Sequence, residues 1–369
     1  MMELERILEL PIGRRWLEKA HLDKKAIGQV DLSRAKQLKV NSETYLEAQS
    51  KGMSLTELLE TPDYDPSGLG SPLDAFERQL AAHGIRVGGK NPTTVELFYQ
   101  GAPALLPEFM LREIRNGMKM RSELDRIIAS SSIVNSNRYT PFYVDVSSND
   151  SKLSLRPIGD GAEIPSVTVA EQLHSINVPD YGVTLRASYK SLRYRTSAQF
   201  KVLLWYLGFR LQADKIALIV NTIISGDGNS NPATVINTAV SGTLDYSDLI
   251  TFWNEFYPFQ MNTILAHKDK INAILTMDEF KDPLAGFKFQ SSGELVSPLG
   301  SALIRSDEVP TDLIIGLDRR FAIEEVLAQP LMIEYDKVIE QKFEEAVISE
   351  SVAYAKVIKE SSLVLDVTW

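Results

Sequence analysis

Residues 197–228 read SAQFKVLLWYLGFRLQADKIALIVNTIISGDG. Val202, Trp205, Phe209, Ile216, Val220 and Ile223 recur at helical spacing, and Leu204, Leu207 and Leu211 make an adjacent stripe. The pattern predicts one helix over about residues 198–224, with Ser197 as its N-cap and Ser225-Gly226-Asp227-Gly228 as its stop. Such a helix would be roughly 40 Å long at 1.5 Å per residue. Apolar over most of its girth, it is expected to be buried on more than one side.

Before this helix lies a β-rich tract. Residues 153–169, LSLRPIGDGAEIPSVTV, alternate apolar positions at Leu153 and Leu155 and again at Ile164, Val167 and Val169. Gly159-Asp160-Gly161 breaks the pattern between them. Alternation on both sides of a turn predicts a long two-stranded arm. An isolated two-stranded ribbon is marginal in water, so the arm requires something to pack against. Segments 138–146 and 176–195 read as further strands, with a bulge or bend where the parity shifts between Leu173 and Ile176.

Elsewhere the chain alternates in type. Residues 1–100 carry punctuated helical patterns, including one over 73–85 closed by Gly84, with joints at 61–72 and 87–92. VELFYQ (95–100) reads as a short strand, and 106–128 as a helix with Pro107 in its first turn. Short helices and strands follow over 247–275, then a Gly/Pro-rich loop over 282–300 and apolar runs at 313–317 and 321–326. The tail (330–336, 345–358 and 363–367) is β-like. No internal repeat is visible.

The 369 residues carry a net charge of −10 with a pI near 5.1, which argues against a protein that grips nucleic acid over a broad surface. There is no cysteine, so disulfides, thiolate metal sites and thiol nucleophiles are excluded. No apolar run approaches the length of a bilayer span, and the charged start MMELERILEL has no secretory pattern. The histidines (His21, His83, His174 and His267) stand apart, and no G-x-S-x-G elbow or phosphate-cradling G-x-x-x-x-G-K-S/T appears. Glu324-Glu325 and Glu344-Glu345 read as solvated strand edges rather than catalytic pairs. Asp63, Asp65, Ser67 and Asp74 have the oxygen spacing of a Ca²⁺ loop, but Pro66, Pro72 and the shorter Asp at the last position favour a plain linker. No cofactor is expected.

The order of elements carries a resemblance. GDGAEIPSVTV (159–169), the helix over 198–224 with its exit ISGDGNSNPATVI (224–236), IIGLDRRFAIEEV (314–326) and PLMIEYDKV (330–338) together resemble the major capsid proteins of tailed phages, the Hong Kong 97-type fold. The resemblance spans roughly 95–369 and implies an α+β chain with a long spine helix, an extended β-hairpin (the E-loop), a P domain and an A domain. It divides the chain into a helical N-terminal extension (1–94), an N-arm with the first P-domain helix (95–137), the E-loop (138–185), the spine-helix region (186–228), the A domain (229–320) and C-terminal strands returning to the P domain (321–369).

In such shells the E-loop lies over a neighbouring subunit, which would supply the arm's missing partner. The resemblance thus implies an interface at Ile158, Gly159, Asp160, Gly161, Ile164 and Val167, and a homo-oligomer of pentamers and hexamers located in the virion. Portal, scaffolding or decoration proteins and non-specific contact with packaged DNA complete the implied partners, with no membrane. Some relatives weld their shells by isopeptide bonds between an E-loop lysine and a late asparagine. No lysine lies between Lys152 and Lys190 and no asparagine follows Asn272, so a noncovalent shell is expected. An encapsulin-like nanocompartment shell and a soluble enzyme with an unrecognised site are the alternatives.

Overall fold

The computed structural model describes residues 38, 40, 42–51, 53–65, 73–89, 91–120, 123–143, 170–171, 174–281, 299–338, 340 and 343–369. The helices expected before residue 38, the arm over 144–169 and the loop over 282–298 lie outside the described residues.

Within them the chain is α+β. Helix α1 covers Ser42–Ser50. Helix α2, Leu55–Leu59, starts at a capping box in which Glu57 N donates to Ser54 Oγ (3.2 Å) and Ser54 N donates to Glu57 Oε2 (2.7 Å). Asp74 and Glu77 repeat the device at α3, Ala75–Ala82, and Gly84 closes that end at φ +67°. Residues 95–100 are helical, not a strand: α4, Val95–Gly101, is capped by Thr94, and its Val95 and Phe98 are buried at i, i+3 spacing. Helix α5, Leu105–Lys119, is shorter than expected. A 3₁₀ turn at Leu124–Arg126 and strand β1, Ile128–Ile133, take up the end of that segment.

Four two-residue strands follow: β2 (Arg138–Tyr139), β3 (Phe142–Tyr143), β4 (Ala170–Glu171) and β5 (Ile176–Asn177). Strand β6, Asp180–Ser188, leads into the short helix α6, Tyr189–Arg193, where strand was expected. Helix α7 runs Ser197–Ser225. Ser197 is its first helical residue rather than its cap. Thr196 does the capping: Gln199 N donates to Thr196 Oγ1 and Thr196 N to Gln199 Oε1, both at 3.3 Å.

The remaining elements are β7 (Thr234–Asn237), α8 (Tyr246–Asn254), β8 (Thr263–Ala266), α9 (Lys268–Leu275), α10 (Asp278–Lys281), β9 (Ala302–Arg305), β10 (Leu313–Leu317), β11 (Ile323–Val338), β12 (Phe343–Lys356) and β13 (Ser362–Asp366).

The chain divides into two compact units. One takes residues 1–119, 182–209 and 331–349; the other takes 120–181, 210–330 and 350–369. The second unit is built on a five-stranded sheet ordered β7-β13-β10-β8-β9. Its three inner strands, β13, β10 and β8, are almost wholly buried and read as apolar runs because both faces are covered. Period two sorts the side chains: Leu265, Ile304, Ile315 and Val364 pack with Ile216, Ile219, Val220 and Ile223 of α7. Ile264, Leu303, Ile314, Leu363 and Leu365 pack on the other face with Leu249 and Phe252 of α8 and Ile271 and Ile274 of α9. Gly316 lies on the α8 face, where a Cβ would stand 2.8 Å from the Phe252 ring. The last strand, β13, joins this sheet between β7 and β10, so segment 321–369 is shared between two sheets.

The other large sheet is ordered β1-β11-β12-β6, with β1 parallel to β11. Two segments expected as separate strands are one, β11, running through Pro330, which withholds an amide from the ladder. Because β11 and β12 are interior strands, Glu324 and Glu344 are buried, and the solvated edges expected for the acidic pairs are not found.

In the first unit, α1–α5 enclose a core containing Leu55, Leu58, Leu59, Phe76, Leu80, Phe98, Phe109 and Ile114. Helices α5 and α7 touch backbone to backbone. A Cβ on Gly117 would stand 2.3 Å from Trp205 O, and one on Gly208 would stand 2.1 Å from Ile114 O. Beside this crossing Trp205 Nε1 donates to Glu113 Oε2 (2.6 Å), and Lys201 pairs with Glu113 Oε1 (3.1 Å).

Candidate assembly surface

The arm's stem is held by two antiparallel ladders in the second unit. Arg138 and Tyr139 face Asn177 and Ile176; Phe142 and Tyr143 face Glu171 and Ala170. Two residues separate Tyr139 from Phe142 and four separate Glu171 from Ile176, so the register slips at 172–175, where the parity of the sequence shifts. The chain leaves the described residues after Tyr143 and re-enters them at Ala170, with β4 antiparallel to β3. Ile158, Gly159, Asp160, Gly161, Ile164 and Val167 lie outside the described residues.

The stem is tied down chemically. Tyr139 Oη donates to the Glu324 carboxylate (3.1 and 3.0 Å), which also accepts from Ser132 Oγ. Burial and the neighbouring Glu324 carboxylate push the Tyr139 hydroxyl up to about 12, so it stays a donor throughout the physiological range. Val178 N donates to Asn137 O (2.8 Å), and Ile176 and Val178 pack with Val326, Ala353 and Ala355. The Glu324 network was invisible in the sequence because its members are 185 and 192 positions apart.

An open apolar surface belongs to the first unit. Over residues 197–209, α7 buries Phe200 and Leu204 but leaves Val202 (60% exposed), Leu203 (45%), Tyr206 (63%) and Phe209 (41%) facing out. These four lie at i, i+1, i+4 and i+7, one side of the helix. Val202 and Phe209 were expected on a buried face and are not.

Buried charges elsewhere are structural. Lys215 Nζ, on α7, pairs with Glu350 (2.6 Å) and Glu325 (3.5 Å). Asp318, fully buried, accepts from the Arg320 side chain, Gln260 N and Asn262 Nδ2. Burial pushes its carboxyl up, but these donors outweigh that and hold it low. Lys356 is buried with no hydrogen-bond partner for its amine, and burial lowers it to about 8.

Of the Ca²⁺ candidates, Asp65 Oδ2 accepts from Arg78 Nε (3.1 Å) and Gln79 Nε2 (3.0 Å), while Asp74 caps α3 and pairs with Arg112 (2.9 Å). Ser67 lies outside the described residues. Among the described residues no three His, Cys, Asp or Glu side chains converge as a metal site, and no helix is long and apolar enough to cross a membrane. His267 caps α9 and His83 meets Leu38 O.

No protein-family model matches the chain, and no curated protein matches it. Solved structures do. A virus-like particle from Pyrococcus furiosus is similar at 12% identity and TM-score 0.48, over 71% of this chain and 97% of that one. The capsid of an empty GTA particle is similar at 13% identity and TM-score 0.49, over 67% and 90%. The holo-SrpI encapsulin complex from Synechococcus elongatus is similar at 13% identity and TM-score 0.47, over 67% and 88%.

Proposed function

We propose that this chain is the major capsid protein of a tailed-phage head, assembling noncovalently into an icosahedral shell that encloses double-stranded DNA. The observation that carries the reading is an apolar helix face left open at Val202, Leu203, Tyr206 and Phe209, for which a hairpin growing from the antiparallel stem at 138–143, 170–171 and 176–177 would be the cover. Their chemistry is complementary, because the hairpin's 144–169 segment carries alternating apolar side chains. In this reading the hairpin is the E-loop, α7 the spine, and the five-stranded sheet the heart of the A domain. The hairpin of one copy lies across the α7 face of the next, and many modest contacts add up to a stable closed shell.

The net charge of −10 suits an inner wall that must not hold DNA tightly. Electron microscopy of the purified full chain tests the proposal: closed particles tens of nanometres across are expected, and a homogeneous monomer contradicts it. Nuclease-protected DNA inside the particles separates a phage head from a nanocompartment filled with protein cargo. Denaturing electrophoresis should give a single monomer band, since neither isopeptide partner is present in the expected positions.

A further inference from the structure

We infer that the lobe of residues 42–94 is a permanent clamp on the start of α7, without which the first unit does not hold its fold. The inference stands on the first unit alone and does not depend on shell formation. Ser197, the first residue of α7, is fully buried, and both of its donors go to the lobe. Its N–H donates to Thr93 O (2.9 Å) and its Oγ to Arg86 O (3.1 Å). At the junction, Val95 N donates to Arg195 O (3.1 Å), and Thr94 bridges Thr196, the residue that caps α7.

The lobe also completes α5. Glu108 is 2% exposed, and its Oε1 accepts from Thr56 Oγ1 (2.9 Å) and Arg112 Nε (3.3 Å). Arg112 in turn donates to Thr56 Oγ1 (2.7 Å), pairs with Asp74 (2.9 Å) and lies over the Phe76 ring (4.4 Å). Removing 42–94 would leave Glu108 with Arg112 alone, and Arg112 without Thr56, Asp74 or Phe76. It would also take two hydrogen-bond partners from the first turn of α7 and remove from the unit the buried Leu55, Leu58, Leu59, Phe76 and Leu80, which is the larger loss.

Leu38 adds two polar contacts to the lobe, its N–H to Gln79 Oε1 (3.0 Å) and its carbonyl to His83 (3.3 Å). The lobe's capping boxes and buried leucines tie the described part of the N-terminal extension into the first unit.

The test is site-specific cleavage of the full chain at a protease sequence inserted at residues 89–91. After cutting at 89–91, the N-terminal piece should stay bound under native conditions, and stripping it should lower the midpoint by more than about 10 °C or abolish cooperative melting. The inference is overturned if that piece separates freely and the remainder melts as before. If an insertion blocks folding, hydrogen exchange on the unmodified chain decides. Amides of α2 and α3 should be as protected as those of α5, and exchange about 100-fold faster in the lobe overturns the inference. Failure of the shell reading would show instead as absent particles with the clamp intact.

Discussion

Over residues 197–209, α7 leaves Val202, Leu203, Tyr206 and Phe209 open. Over residues 210–225, the same helix encloses Ile216, Ile219, Val220 and Ile223. The two stretches have comparable apolar content and almost continuous periodicity, yet the first buries one side and leaves another open, while the second buries its apolar side chains within its own unit. Hydrophobic spacing states which side chains favour burial, and says nothing about whether the cover comes from the same chain. The difference between the halves is therefore where assembly enters the account.

The largest expected effect breaks the first half at its crossing with α5. Gly208→Val would drive a side chain into Ile114 O, 2.1 Å from the Cβ position, and neither backbone can yield. Loss of more than about 4 kcal/mol is expected, read as insoluble expression or absent cooperative melting. In the enclosed half, Ile223→Ala deletes a fully buried side chain. It should cost about 2–5 kcal/mol by denaturant titration whether or not particles are present.

A third variant works in the opposite direction. Lys356 holds a buried amine without a partner, and burial lowers it from 10.5 to about 8. Between those values the unfolded chain binds the proton and the folded chain does not, so stability rises with pH across that window. Lys356→Met should gain up to about 3 kcal/mol near pH 7, with the advantage vanishing above about pH 10.5. Melting curves of both proteins from pH 7 to 10.5 check the sign. The smallest effect on the single chain belongs to the open half. Val202→Ser with Tyr206→Ser should change unfolding free energy by no more than about 0.5 kcal/mol, yet suppress assembly in sedimentation.

Sequence patterning made much of this legible. The S-x-x-E and D-x-x-E caps of α2 and α3, the long α7 and the apolar runs of the five-stranded sheet follow from local rules. VELFYQ misled because six apolar-rich residues carry both periods, and the cap from Thr94 and the tie to Arg195 decide for helix. The acidic pairs misled because their partners, Tyr139 and Ser132 for Glu324 and Lys215 for Glu325, come from distant strands and from α7. Exposure of Val202 and Phe209 was illegible for the reason already given: periodicity does not name the cover.

Sedimentation velocity on the full chain beside a variant lacking residues 153–169 tests the central claim most directly. The account predicts fast-sedimenting closed particles for the full chain. If segment 153–169 is supported by another copy, the shortened chain is a folded monomer with an unchanged melting midpoint. Particles formed equally well without the hairpin, or a shortened chain that no longer folds, would contradict it.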